Sequence, residues 1–334
     1  MTMKKFLTVA LMASTLALPA AAEPVQLKFG YAAAATSSFA VDIVNPWAED
    51  VMKASQGTVE VKLFPGSVLG NAQNIYDRII TGVAELTFSV FGPLSSQFPK
   101  TNVATLPFET RDETETALAL WRLYDKGVIA DEFSKVRVLA LMSFPSLVMH
   151  SSKPIATMED MRGLKVSAEG RVFSESLQRL GAAPVTLQPI DLYQSKQRGV
   201  VDVVAQAWPS VTTFKLFEVA DHHLEGPFGA NTGYVVMNKE AYAKLPAAGR
   251  AALDAQSYEA FVRRIAREIR KSSDQSRAFT QGKGQSITQL SPAEEARWKA
   301  QIAPVTEEWV KATPDGAHVL AAYRAEIAAL RAGK

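Results

Sequence analysis

Cysteine is missing from all 334 residues. That excludes disulfide staples, thiolate nucleophiles and cysteine-held metals, and a chain of this length buries enough apolar surface to fold without staples. Histidine is nearly as scarce, with His150, His222, His223 and His318 the only four. Neighbouring side chains on a strand or helix point apart, and no acidic cluster sits beside the vicinal pair, so no metal site is expected. Charge of one sign is not in excess either. Lys4 and Lys5 are the only charged residues before Glu23, so of 36 basic and 34 acidic residues, 34 of each remain after residue 22. Such a balance argues against nucleic acid and against an anionic membrane as partners. No run after residue 22 is apolar for long enough to cross a bilayer core of ~30 Å. Catalytic motifs are absent as well: there is no P-loop, no GxGxxG after a strand, no HExxH and no GxSxG. Gly66-Ser-Val-Leu-Gly70 has the wrong spacing for a nucleophile turn.

What is present begins with an address. Lys4-Lys5, the apolar run from Phe6 to Leu18, and Pro19-Ala20-Ala21-Ala22 have the layout of a secretory signal peptide over residues 1–22, with Glu23 as the mature start. The rest of the chain is then expected in the periplasm.

The mature sequence reads as α/β. Val25 to Tyr31 and Thr58 to Phe64 alternate apolar and polar residues as strands do, and Glu85 to Val90 is a short buried strand. Phe39 to Ala54 and Asn71 to Thr81 read as helices between them. A second series of strand–helix units starts near Lys153-Pro154. Thr157-Met-Glu-Asp160 forms a capping box, Leu164 to Val166 a strand, Arg171 to Leu180 a helix with Gly181 behind it, and Pro184 to Leu187 and Val200 to Val204 further strands. This alternation predicts a largely parallel sheet. Asp112, Glu113 and Glu115 suit the first turn of a helix. Gly226 to Gly233 reads as a hinge or pocket-lining loop, and Tyr234 to Asn238 as an apolar strand. Arg250 to Gln281 contains neither Gly nor Pro. It is either one helix of roughly 45–50 Å, long enough to lie across two domains, or two helices with an unmarked break. Ser291-Pro-Ala-Glu294 opens the last helical stretch.

Three blocks are more specific. The first is Val61-Lys-Leu-Phe-Pro-Gly-Ser-Val-Leu-Gly70 with Ile80-Thr-Gly-Val-Ala-Glu85, followed by Phe98-Pro99 and Leu106-Pro-Phe108. The second is Met158-Glu-Asp-Met-Arg-Gly-Leu-Lys165, Leu180-Gly-Ala-Ala-Pro-Val185 and Gly199-Val-Val-Asp202. The third is Val236-Met-Asn-Lys239 with Leu245-Pro246. In this order the chain resembles the substrate-binding (P) subunit of tripartite ATP-independent periplasmic (TRAP) transporters of the dicarboxylate-binding type, over nearly the whole mature length. The resemblance implies a two-lobed periplasmic solute-binding protein fold, type II-like, with a long helix bridging both lobes. Its first lobe would be residues 23–147, completed by about 234–262; the second lobe would be 148–233, the bridging helix 246–281, and the C-terminal helices 291–332. It implies a monomeric receptor, not an enzyme, which needs no cofactor or metal. The receptor would deliver a small organic acid to the small and large membrane subunits of a permease.

The same resemblance places ligand-binding positions at Tyr31, Ser37, Ser89, Phe91, Phe144, Ser167, Arg171, Gln206, Trp208 and Asn231. Two departures stand out. Relatives usually carry a carboxylate-binding arginine where this chain has Ser167, and glycine where it has Val203. A guanidinium grips a carboxylate through two parallel hydrogen bonds; a serine supplies no charge. Arg171, at the start of the next helix, is the candidate to replace it, and its other reading is a solvated first-turn arginine. Because of Ser167, a neutral or cationic solute held against aromatic faces stays open as an alternative. A secreted enzyme on a receptor-like fold and a receptor serving a sensor kinase are the remaining readings.

Overall fold

The structure, a computed structural model, describes residues 23–333. The signal peptide expected over residues 1–22 lies outside them. The strands are β1 Val25–Gly30, β2 Val59–Phe64, β3 Leu86–Val90, β4 Val136–Ser151, β5 Lys165–Ser167, β6 Ala183–Val185, β7 Val203–Gln206, β8 His222–Asn238 and β9 Ser286–Gln289. The α-helices are α1 Asn45–Ala54, α2 Ile75–Ile80, α3 Glu113–Asp125, α4 Arg171–Arg179, α5 Leu192–Gln197, α6 Trp208–Thr213, α7 Lys239–Lys244, α8 Ala247–Ala255, α9 Tyr258–Gly282, α10 Pro292–Ala312 and α11 Gly316–Arg331.

One sheet of order β2-β1-β3-β8-β4-β7-β5-β6 runs through both lobes, with β9 added to β8. Its flanks are parallel, as strand–helix alternation requires, but its centre is not. β8 pairs antiparallel with β3 and β4, and β4 pairs antiparallel with β7. The expectation of a largely parallel sheet is corrected there. The reason lies in β4 and β8, which have 16 and 17 residues. At about 3.3 Å per residue each is long enough to serve as a central strand of one lobe and then of the other. Their pairing runs from Val136↔Asn238 to Ser151↔His222, and it is interrupted by a register shift between Val138 and Ala140 and by two more between Ser143 and Val148. At that level β4 carries Pro145, and β8 carries Gly226, Pro227 and Gly229. Proline removes a ladder donor and bulges bend a strand, so the two crossing strands are weakened at one shared level between the lobes.

The first lobe buries Trp47 and Phe29 in one aromatic group and Phe91, Phe98, Phe133 and Tyr234 in another, both within one hydrophobic core. The second lobe has a smaller core of its own around Leu192, Val201, Val204, Trp208 and Leu216. Two helices tie the lobes together. The Gly- and Pro-free stretch is broken at Gln256 and Ser257 into α8 and α9, so the bridging helix begins at Tyr258 rather than near residue 246. α9, 25 residues and about 37 Å long, stacks Phe261 on Trp47 of the first lobe. Near its other end Arg277 meets Glu225, and Ser276 meets Thr212, in the second. The second tie is α10. Ser291 caps it on the Glu294 amide; Arg297 reaches Glu159 in the second lobe, and Trp309 Nε1 donates to the Pro99 carbonyl in the first.

Candidate functional site

In parallel sheets the strand carboxyl ends and the helix amino ends that follow them face the ligand crevice. Here β3 ends toward Phe91 and β5 leads through Ala168-Glu169-Gly170 into α4, while β8 crosses between the lobes. These segments line a crevice: Phe91, Gly92, Ser95, Asn102 and Thr105 from the first lobe, Glu169 to Phe173 from the second, Leu147 on β4, and Phe228 to Thr232 on β8. Its cavity volume is about 30 Å³. Ligand pockets usually measure ~300–1,000 Å³, so the lobes stand nearly closed on one another. A Gln73 Nε2 to Gln188 Oε1 hydrogen bond of 3.0 Å spans the two lobes. A larger groove of about 1160 Å³ lies between α10, α11 and residues 107–109. It is open and sits away from the strand ends, so the site is assigned to the crevice.

Two glycines shape the crevice. Gly170 has φ 77° just ahead of α4, a turn that costs a side-chain-bearing residue strain. No side chain caps α4, so its first amides, which lack partners within the helix, open on the crevice. Gly229 has φ 94°, and a Cβ there would meet the Thr105 carbonyl at 2.6 Å. Only glycine lets β8 approach the first lobe this closely.

Of the ten expected ligand positions, Phe91, Arg171 and Asn231 line the crevice. Gln206 reaches it through a hydrogen bond to Glu169. The other six are not among the residues that line it. Tyr31 is buried edge-on to Phe29 and beside Phe88. Ser37 accepts from the Ala40 amide at 3.3 Å. Ser89 is buried opposite Tyr234 in the ladder, and Phe144 packs on the main core at the bulge. The Ser167 hydroxyl accepts from the Ala205 amide at 2.9 Å, joining β5 to β7. Trp208 belongs to the second-lobe core: its Nε1 donates to Glu225 at 2.9 Å, and its ring packs against His150 and His223. Arg171 has a largely exposed side chain whose Nε donates to Glu175 at 2.6 Å.

Two features escaped the sequence reading. Glu169 projects into the crevice; Gln206 Nε2 donates to its Oε1 at 3.3 Å and Asn231 Nδ2 to its Oε2 at 3.5 Å. Burial raises its pKa, against a small opposing pull from Gln206. Its sequence context, Ala168-Glu169-Gly170 between a strand end and a helix start, does not distinguish it from an ordinary solvated charge. Second, His223 of the vicinal pair faces His150 across the β4–β8 ladder, Nδ1 to Nδ1 at 2.8 Å, while His150 Nε2 lies 3.1 Å from the Gln206 carbonyl. Burial, reinforced by His223, lowers His150 to about 3, and burial also lowers His223. Among the described residues no cluster of three or more His, Asp or Glu has the geometry to hold a metal, and no helix is long and apolar enough to cross a membrane.

Comparison with known proteins adds a family context. The family model DctP, described as bacterial extracellular solute-binding protein, family 7, matches residues 29–312. The C4-dicarboxylate-binding periplasmic protein DctP of Rhodobacter capsulatus is 26% identical over 320 residues, covering 94% of each chain. A TRAP solute-binding protein from Rhodoferax ferrireducens, solved with copurified benzoate, superposes with a TM-score of 0.85 at 28% identity, over 91% of this chain and 98% of that one. A marine metagenome TRAP solute-binding protein, described as specific for aromatic acid ligands and solved with metahydroxyphenylacetate, gives 0.87 at 25% identity, over 91% and 98%.

Proposed function

This chain belongs to the bacterial extracellular solute-binding proteins of family 7, the receptors of TRAP transport, and from that premise we propose that it captures a small organic acid with an apolar, aromatic-sized body between its lobes in the periplasm and hands it to the membrane subunits of a TRAP permease. One observation carries the reading: the crevice is walled by residues of both lobes at the level where the β4–β8 ladder shifts register twice, between Ser143 and Val148. Hinged strands beside a two-sided crevice are the mechanical requirement for closing on a ligand.

The chemistry of the walls supports an acid with an apolar body. Phe91, Phe173 and Phe228 supply apolar faces. The uncapped start of α4 offers backbone amides, and a helix amino end favours negative charge. Arg171 is its first residue. The exposed i,i+4 pair that holds Arg171 to Glu175 contributes only about 0.3–0.5 kcal/mol, so a ligand carboxylate can draw the guanidinium inward at little cost. The relatives described with benzoate and with metahydroxyphenylacetate bind acids of this type.

A thermal-shift screen of the purified receptor against small acids tests the proposal. A ligand at ~100 times its Kd adds about 2.7 kcal/mol of stability. Aromatic acids are expected to raise the melting temperature, and Arg171→Ala is expected to weaken their binding about tenfold or more by removing a charged hydrogen-bond donor. No shift with any acid contradicts the reading, and a shift that Arg171→Ala leaves intact removes Arg171 from the site.

A further inference from the structure

Glu169 brings a carboxyl group into the crevice with no basic side chain to meet it. Its two protein donors, the amides of Gln206 and Asn231, stand off at 3.3 and 3.5 Å. Among the described residues no Lys, Arg or His forms an ion pair with it. The nearest arginine in sequence, Arg171, is turned to Glu175 instead. A carboxylate has about four acceptor positions, so much of its capacity is unused. The Gln206 carboxamide accepts from the Ser210 hydroxyl through its Oε1 and directs its N–H at Glu169. From the opposite lobe Gly92 comes so close that a side chain there would stand 3.3 Å from Glu169 Oε2. Thr232, also on the crevice wall, keeps a buried hydroxyl with no hydrogen-bond partner.

An ionised carboxyl that is partly withdrawn from water and held only by two long hydrogen bonds carries a desolvation cost that no cation of the protein offsets. It is relieved either by protonation or by a cation; a ligand ammonium has several N–H donors, so it can serve Glu169 and still offer one to an acceptor such as the unpartnered Thr232 hydroxyl. The rest of the lining combines the apolar faces of Phe91, Leu147, Phe173 and Phe228 with the polar Ser95, Asn102, Thr105 and Asn231, and Arg171 is the one basic side chain among these lining residues.

We propose, resting on the receptor reading above, that Glu169 is the counter-charge for a basic nitrogen of the ligand, so that the crevice takes a small acid that also carries an amino group, with its nitrogen on Glu169 and Thr232 and its carboxylate toward Arg171. A carboxylate in a ligand site also repels simple acids, which is discrimination against a competitor rather than for a partner.

Calorimetric titration of the receptor with matched probes tests this. Each set shares one carbon skeleton, beginning with phenylalanine, 3-phenylpropionate and phenethylamine, and is extended to smaller acids, their amino acids and their amines. The expected result is that at least one amino acid binds about tenfold or more tightly than its matched plain acid. Glu169→Gln, which keeps the shape and removes the charge, is expected to erase that preference by weakening the amino acid about tenfold while leaving the acid unchanged or tighter, as for the loss of one partner of a close charge pair. Acids that bind with no preference for the amino form overturn the proposal and leave the receptor reading standing. No binding by any probe overturns both. The preference of the unsubstituted receptor decides the matter even if the variant folds poorly.

Discussion

Ser167 and Glu169 stand two residues apart at the end of β5 and have opposite relations to the crevice. Ser167 is buried, and its hydroxyl is engaged by the Ala205 amide; the carboxyl of Glu169 reaches the opposite lobe. Ser167→Ala is expected to leave the Ala205 amide without that acceptor and to cost about 1–3 kcal/mol. Chemical denaturation would read this as a lower midpoint at unchanged slope, and calorimetry would find ligand affinity unaltered; a large affinity loss at full stability would instead place Ser167 on the ligand. Arg171 was legible in the sequence as a first-turn residue close to the site. Glu169 was not, because a charged residue between a strand and a helix ordinarily faces water. The approach of Gly92 from the other lobe and the amides of Gln206 and Asn231 draw it partly out of solvent, and no local pattern encodes those contacts.

At the scale of elements, local chemistry was readable where it was local. Asp112 accepts from the Glu115 amide at the start of α3, and Asp160 accepts from the Thr157 amide, as their spacing suggests. The alternation of Val25 to Tyr31 and Thr58 to Phe64 became β1 and β2 in exact parallel register. β4 left no such trace. Its residues from Leu139 to Met142 are fully buried, and a strand covered on both faces shows an unbroken apolar run without period-2 contrast. The Gly226 to Gly233 segment was read as a hinge or pocket-lining loop, and it lies instead inside the continuous strand β8, irregular at the level of Pro145 in β4. The same ladder pairs His150 with His223, which gives the fold a pH dependence. Burial, first among the causes, keeps His150 neutral down to about pH 3, and His223 is lowered too, although Gln285, Asp221 and Glu225 oppose that shift. The unfolded chain takes up protons near pH 6.5 and the folded chain does not. Stability is therefore fully present above pH 6.5 and falls as the pH drops below it, by up to about 1.4 kcal/mol per pH unit for each histidine. Denaturation midpoints at pH 7.5 and 5.0 should show this loss, and His150→Phe should reduce it. Equal slopes with pH in parent and variant would contradict it.

For the whole molecule, the order of the motifs pointed to two lobes, but not to how they are joined. The resemblance anticipated one bridging helix; there are two, because α10 docks its amino half on the second lobe and Trp309 on the first. With β4 and β8 they make four connections around one crevice. The strands are irregular at its level, whereas α9 is anchored at both ends, by Phe261 on Trp47 and by Arg277 on Glu225. On the proposed reading, opening is a bend in the strands against a helix that keeps its hold on each lobe, and the crevice of about 30 Å³ is the closed end of that motion. Small-angle X-ray scattering of the purified receptor, with and without the solute that stabilises it most, tests this directly. The account predicts that a saturating ligand lowers the radius of gyration and narrows the distance distribution. An unchanged scattering profile at full occupancy would contradict it.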